Sequence, residues 1–491
     1  MARLPTPGGD NGNWGTILND FLSQVHKSDG TLADNVVGVS ALQNGSVTPA
    51  KLSRAYVSQV NASGDTSGTA DVAAIQSAID AGGLISLGVG TFHLNTPLIM
   101  KSNAHLVGTR GATVLRLVTG ANCDVIQGLN FNTLTGTGAN VSASGITRWS
   151  VRHLIIDGNR TNQSGASYGI RVYGYDFDLE EITIRSCFSD GLYTEWGDSG
   201  SPTDSMEARL RGLKIYDCGG WGWRCKGPHD SICSDSIIWD NNQAGGLAGG
   251  IWAESDGTAN GSGTTNYSAG GLMLANTHVW GGAHRWGIVL DTTAYLSNVE
   301  VEGATNGMIC IRADVVMQGG RLFYPTSQNG AGMGLQLGDD GTTTGLPFTA
   351  SVGLDSADID VECVNFEGTA SSSAAVRWAN ANSCRLRVLA RMRTATATAL
   401  WGSPDNSSVV TLQGAASGAT LAQVAAMSRR TLQGSSHYNV GSANTAFTVA
   451  NGFTDYVNLN TNGSRFEHVN GLLDRWYADA YSTTTAEISG A

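Results

Sequence analysis

Through the middle of the chain, short apolar runs alternate with small polar turns, and many runs open with a glycine followed by a large apolar residue. Such pairs stand at Gly169-Ile170, Gly191-Leu192, Gly222-Trp223, Gly250-Ile251, Gly287-Ile288, Gly307-Met308 and Gly334-Leu335. Their spacings are 22, 31, 28, 37, 20 and 27 residues. A loose repeat of this size, with a strand and a turn in each unit, predicts a solenoid. Second strands recur between the pairs: HLIIDG, EITIRS, GLKIYD, DSIIWD, GLMLAN and SNVEVEG. Each coil thus offers at least two strands that pair with their equivalents in the coils before and after. The predicted fold class is all-β, a right-handed single-stranded parallel β-helix. A β-sandwich also uses short strands, but it leaves the recurring glycine–apolar unit unexplained.

The flanks differ. Residues 1–60 form a head, with a helix predicted over Trp14 to His26 and Ile17, Leu18, Phe21, Leu22 and Val25 on one stripe. An apolar stripe on so small a segment needs a partner, such as another copy of the chain. VVGVSALQNGSVTPAKLS then reads as extended, with a turn at Asn44-Gly45. The solenoid is expected over 61–400. It opens with a helix capped by Asp71, with Val72, Ile75 and Ile79 inward, stopped at Gly82-Gly83. Residues 401–491 are small and polar, with a helical stretch at TLAQVAAMSRR and an aromatic-rich end that suits a further sheet or a trimer contact.

Composition narrows the function. Glycine is abundant, at 65 of 491 residues, and only 14% of residues are charged. Turns rich in small residues between hydrogen-bonded strands produce this balance. The net charge of −12 disfavours nucleic acid, which calls for a basic surface, and an acidic membrane surface as well. No apolar run reaches the roughly 20 residues that span a bilayer, and the N-terminus lacks the apolar core of a secretory signal. The expected location is a virion tail released by lysis, or failing that the cytoplasm or a non-classical export route. The eight cysteines include no C-x-x-C. Cys187 and Cys218 follow equivalent runs and are expected as buried thiols in successive coils. No cofactor is implied.

Strand alternation places the candidate chemistry. The residue after each glycine points inward, so the second and fourth residues after it point out. The first outward set is Arg171, Tyr193, Arg224, Trp252, Val289 and Ile309; the second is Tyr173, Glu195, Lys226, Glu254, Asp291 and Ile311. Aromatic faces stack on sugar rings, and guanidinium and carboxylate groups bind hydroxyls, so the row suits an oligosaccharide. The long coils carry insertions, GDSGSPTDS after Trp196 and SDGTANGSGTTNYSA after Glu254, that would wall a cleft. Glycoside hydrolysis commonly needs two carboxyl groups. Glu254 is the first candidate, with Asp291 on the adjacent coil as its first partner and Glu195 as the second. Rungs about 4.8 Å apart put Glu254 and Asp291 near a retaining spacing, and Glu195 and Glu254 near an inverting one. Lys226 lies between two carboxylates. The expected substrate-binding set is Trp252, Tyr193, Arg224, Lys226, Tyr173 and Arg171, with Asp198 and Asp256 at the loop starts. Asp157 reads as a turn residue, and His229-Asp230 as a turn pair. His278 and His284 flank a Gly-Gly turn without a third ligand at a metal-like spacing, so no metal site is read.

Two stretches carry resemblances. LPTPGGDNGNWGTILNDFL, with HKSDGTL and NGSVTPAKL, resembles the N-terminal segment of tail-fibre and tailspike proteins of phages that infect actinobacteria. TADVAAIQSAIDAGGLISLGVGTFHLNTPLIMKSNAHLVGTRGATVLRL resembles the opening of the pectate-lyase-like superfamily, in which a helix plugs the end of a β-helix. The resemblance implies carbohydrate substrates, often a homotrimer, and attachment to a phage tail or baseplate through the head. The polygalacturonase-like set (Asn-x-Asp, Asp-Asp, Gly-His-Gly, Arg-x-Lys) is not found in order, nor is the clustered-aspartate calcium site of pectate lyases. No catalytic residue is therefore carried over. The leading expectation is a tailspike-like depolymerase that hydrolyses a bacterial surface polysaccharide. Its rivals are a glycan receptor-binding fibre without catalysis and a bacterial β-helix enzyme such as a cyclising fructotransferase or a polysaccharide lyase.

Overall fold

A computed structural model of the chain describes residues 6, 9–23, 57–134, 145–196, 207–254, 270–325, 332–346, 352–393, 399–402 and 408–413, with further strands at 429–433, 445–448, 454–457, 465–469 and 472–477. The chain divides into two units, Met1–Val57 and Ser58–Ala491. In the first unit the helix Trp14–Leu22 is shorter than the pattern predicts, and it buries none of its residues. Ile17, Leu18 and Phe21 of the predicted stripe are half-buried. The extended stretch over 36–53 lies outside the described residues.

The second unit is a right-handed parallel β-helix with three strands in most coils. The first sheet stacks Leu98–Met100, the start of Ile170–Glu180, Leu192–Glu195, Trp223–Lys226, Ile251–Ala253, Trp286–Leu290, Gly307–Ile311 and their successors. The second includes Ala208–Arg211, Ile232–Ser234 and Leu272–Ala275. The third includes Thr183–Arg185, Lys214–Tyr216, Ile237–Trp239 and His278–Trp280. Every pairing among these strands is parallel and joins equivalent residues of neighbouring coils. One inward column of the first sheet runs Ile170, Leu192, Trp223, Ile251, Ile288, Ile309, Leu335, Val376 and Leu400. Each of these is at most 1% exposed, so the column forms a continuous apolar spine.

Close packing explains the recurring glycine. A Cβ at Gly169, Gly191, Gly222, Gly250 or Gly287 would lie 2.2–2.5 Å from a methyl of Ile184, Ile215, Ile238, Val279 or Val301, respectively. These β-branched residues of the third sheet fill the space where a side chain would project. Between the second and third sheets the chain bends at a single left-handed residue: Glu181, Gly212, Asp235, Asn276, Asn298 and Gly319 in successive coils. Gly, Asn and Asp tolerate this region best.

The helix Thr69–Ala81 covers the first coil with Ile75, Ala78 and Ile79 buried. Its N-cap is Gly68, not Asp71. Asp65 does the capping, accepting the N–H of Ala70 at 2.9 Å. Asp71 lies in the first turn and is buried, where its carboxylate accepts the N–H groups of Ser63 and His93, each at 2.8 Å. Beyond residue 400 the parallel ladder continues through Val409–Gln413 to Arg429–Gln433, and then gives way to antiparallel pairing with Arg465–Val469 and Leu472–Tyr477. Arg429 and Arg430 are thus in a strand; the rest of the predicted helical stretch lies outside the described residues. All eight cysteines are free, and Cys187 and Cys218 are buried in successive coils. No described helix is long and apolar enough to cross a membrane.

Candidate active site

The outward face of the first sheet carries two columns of side chains. One runs Arg171, Tyr193, Arg224, Trp252 and Val289. The other begins Tyr173, Glu195, Lys226. Backbone bonds from Glu254 N to Cys225 O (2.8 Å) and from Asp291 N to Ala253 O (2.9 Å) carry this second column on to Glu254 and then Asp291. The two carboxylates therefore stand on adjacent rungs.

The expected register fails one coil later. Ile309, not Met308, lies opposite Ile288, and Gly307 lies opposite Trp286. A Cβ on Gly307 would sit 2.4 Å from the Trp286 ring, so the ring selects glycine there. The shift turns Ile309 and Ile311 inward and brings Cys310 and Arg312 outward, so the face does not become apolar. Arg312 donates to Asp291 at 2.9 Å and lies 3.6 Å from Asp339. All three are buried, which makes Asp291 part of a closed ionic cluster.

The columns are outward from the barrel but not open to water. Glu195 is 2% exposed, Glu254 6% and Asp291 5%. Aromatic groups provide much of the cover. Phe131, Tyr173, Tyr193 and Trp196 pack together, with Tyr168 and Tyr175 against them. Trp221 and Trp286 close the adjoining region with Trp252 beside them, while Trp223 fills the barrel. Tyr168, Trp196 and Trp221 sit in turns and loops, and Phe131 opens the short helix Phe131–Leu134, where strand alternation gave no signal.

Within this cover the charges are paired. The Arg171 guanidinium donates to Asp124 at 2.7 Å and lies 4.7 Å from the Phe131 ring centre. Arg224 lies between the rings of Tyr193 and Trp252, at 5.3 and 4.7 Å, and donates through Nε to Glu254. Lys226 Nζ is 3.6 Å from the other Glu254 oxygen. The Tyr193 hydroxyl donates to Glu195 at 2.7 Å. Burial raises the Glu195 carboxyl above its usual range, against the opposing pull of Lys226. Asp190 accepts the Trp221 N–H at 2.7 Å, and burial pushes its carboxyl up to about 6. Burial thus favours the acid form at Glu195, while the two Glu254 oxygens face Arg224 and Lys226.

The structure thus brings together Arg171, Tyr173, Tyr193, Glu195, Arg224, Lys226, Trp252, Glu254 and Asp291. Asp198 and Asp256 lie outside the described residues. His284 is buried inside and accepts the Asn241 N–H at 3.0 Å, away from any ligand role with His278. Asp157 is nearly buried and pairs with Arg185 at 2.9 Å.

The strand register defines the class as a right-handed parallel β-helix. No family model and no curated protein sequence matches the chain. Among solved structures, it is similar to the tailspike protein of the Escherichia coli bacteriophage HK620, solved with a pentasaccharide, at 14% identity over 81% of this chain and 67% of that one, with a TM-score of 0.45. It is similar to the A-module of the Azotobacter vinelandii mannuronan C-5 epimerase AlgE6 at 15% identity, over 69% and 94% of the two chains, with a TM-score of 0.45. It is also similar to the DFA-IIIase of Arthrobacter chlorophenolicus A6 at 13% identity, over 76% and 98%, with a TM-score of 0.46.

Proposed function

We propose that the chain is a tailspike-like depolymerase that cleaves a bacterial surface polysaccharide on the outward face of its first sheet. The observation that carries this reading is the contrast between two carboxyl groups on one column. Glu195, buried and bonded to Tyr193, acts as the general acid. Glu254, held by Arg224 and Lys226, acts as the base that activates water. One rung separates them, so they stand about 9–10 Å apart by strand spacing, close to the inverting range. Asp291, first named as Glu254's partner, has its charge engaged by Arg312 and serves the scaffold. Trp252 and Tyr193 supply the rings on which a sugar stacks.

The test is product sizing on actinobacterial cell-wall glycans. Wild type shortens the chains; Glu195→Gln and Glu254→Gln each lower kcat by at least about 100-fold with KM little changed. Asp291→Asn lowers stability but keeps kcat per folded molecule within a few-fold. Equal turnover in all four proteins, or no cleavage by wild type across a broad panel, rejects the reading.

The near-complete burial of Glu195 and Glu254 favours a second reading, a receptor-binding fibre without catalysis. It expects glycan binding with no product. In either reading the chain works as a homotrimer attached to a phage tail through residues 1–60. Sedimentation of the full chain should give three times the monomer mass; a monomer at micromolar concentration counts against this assembly.

A further inference from the structure

On a different face, the outward side of the third sheet, we infer a divalent-cation site formed by His278, Glu300 and Glu302. His278 lies opposite Glu300 on the next coil, and Trp280 opposite Glu302. Alternation points all three ligand side chains the same way. One imidazole nitrogen and one oxygen of each carboxylate lie within 4.8 Å of one another, and all three residues are half-buried.

Two independent features call for a cation. The first is charge. Two carboxylates converge from positions two apart on one strand, and among the described residues the ion pair they make is with Arg321, 3.8 Å from Glu300. Arg321 is also shared with Glu362 at 3.6 Å and lies 4.3 Å from the centre of the Phe323 ring. The cluster therefore keeps an excess of negative charge. The second is an unpartnered ring nitrogen. Nε2 of His278 is closed off from solvent and has no hydrogen-bond partner. Leaving a buried polar atom unpaired is costly, and a metal ion at that nitrogen removes the cost.

The donor set indicates the metal. One imidazole and two carboxylates suit a borderline divalent ion such as zinc rather than calcium, which prefers oxygen alone. Zinc bonds of about 2.0–2.2 Å require the ligand atoms to draw together by roughly 1–1.5 Å, within reach of glutamate rotamers. Three protein ligands leave one position for water. The ion would clamp two successive coils from outside. The two glutamates were invisible in sequence because they come from the neighbouring coil, 22 and 24 residues after His278, rather than from its own strand.

The test is calorimetric titration of the full-length protein, freed of metal with a chelator, with zinc chloride alone. The expected result is one site per chain with micromolar or tighter affinity and a raised melting temperature. His278→Ala and Glu302→Gln each weaken binding at least tenfold, whereas His229→Ala, at an exposed histidine, leaves it unchanged. Cobalt(II) gives a visible absorption band that His278→Ala removes, which reports the site even if a variant alters stability. No saturable zinc binding at millimolar concentration, or binding that survives His278→Ala undiminished, overturns the inference.

Discussion

At the residue scale, the buried ionisable groups set opposite dependences on pH. Asp190 binds its proton up to about pH 6 when folded, against an ordinary value of 3.8. Between those values the folded state holds more protons than the unfolded one, so this residue's contribution to stability falls as pH rises through the window. His284 behaves in the reverse sense. Burial lowers its pKa from 6.5 to about 3, so the unfolded state takes up the proton first and stability is lost as pH falls below 6.5. Asp190→Asn keeps an oxygen for the Trp221 N–H and removes the buried charge. Urea unfolding should find it more stable than wild type above pH 6, by on the order of 3 kcal/mol, with the difference vanishing near pH 4. A constant difference across that range would contradict the assignment. The adjacency of Glu254 and Asp291 was legible because both follow an apolar strand by the same count. The role of Arg312 was not, because the register turns on the bulk of Trp286, and a tertiary contact of that kind leaves no periodic trace.

At the element scale, glycine placement records what occupies the facing sheet. Gly222→Ala would put a Cβ 2.4 Å from the Ile238 methyl and 2.8 Å from the Gly250 carbonyl. Overpacking of this kind should cost about 1–3 kcal/mol, read as a lower urea midpoint at unchanged slope. Gly282→Ala, with nothing within 4 Å of its Cβ, serves as the comparison and should change little. The recurrence of these glycines made the repeat readable from sequence between residues 169 and 335. The third sheet was harder to see as a separate element. Its strands are often only three residues long, as in Lys214–Tyr216, and the bends that detach them use His153, Glu181 and Asp235 as freely as glycine. A left-handed residue that is not glycine gives only a weak signal in a single sequence.

At the scale of the whole molecule, each coil rests on its neighbours, so stability is built from local increments along the axis. The stack therefore has an end, and the helix Thr69–Ala81 is its lid. The lid does more than cover apolar surface. The Gln76 side-chain carbonyl accepts the Ile99 N–H at 2.8 Å, and its amide donates to the Ile99 carbonyl at 3.1 Å. Asp71 likewise takes the N–H of His93. These side chains imitate the strand that a preceding coil would have supplied. A bare strand edge is a template for foreign chains. Here that template is filled by the protein's own amide and carboxylate groups, so a second molecule arriving end-on at this pole finds the Ile99 and His93 donors already engaged, and the solenoid resists growing into a filament from that side.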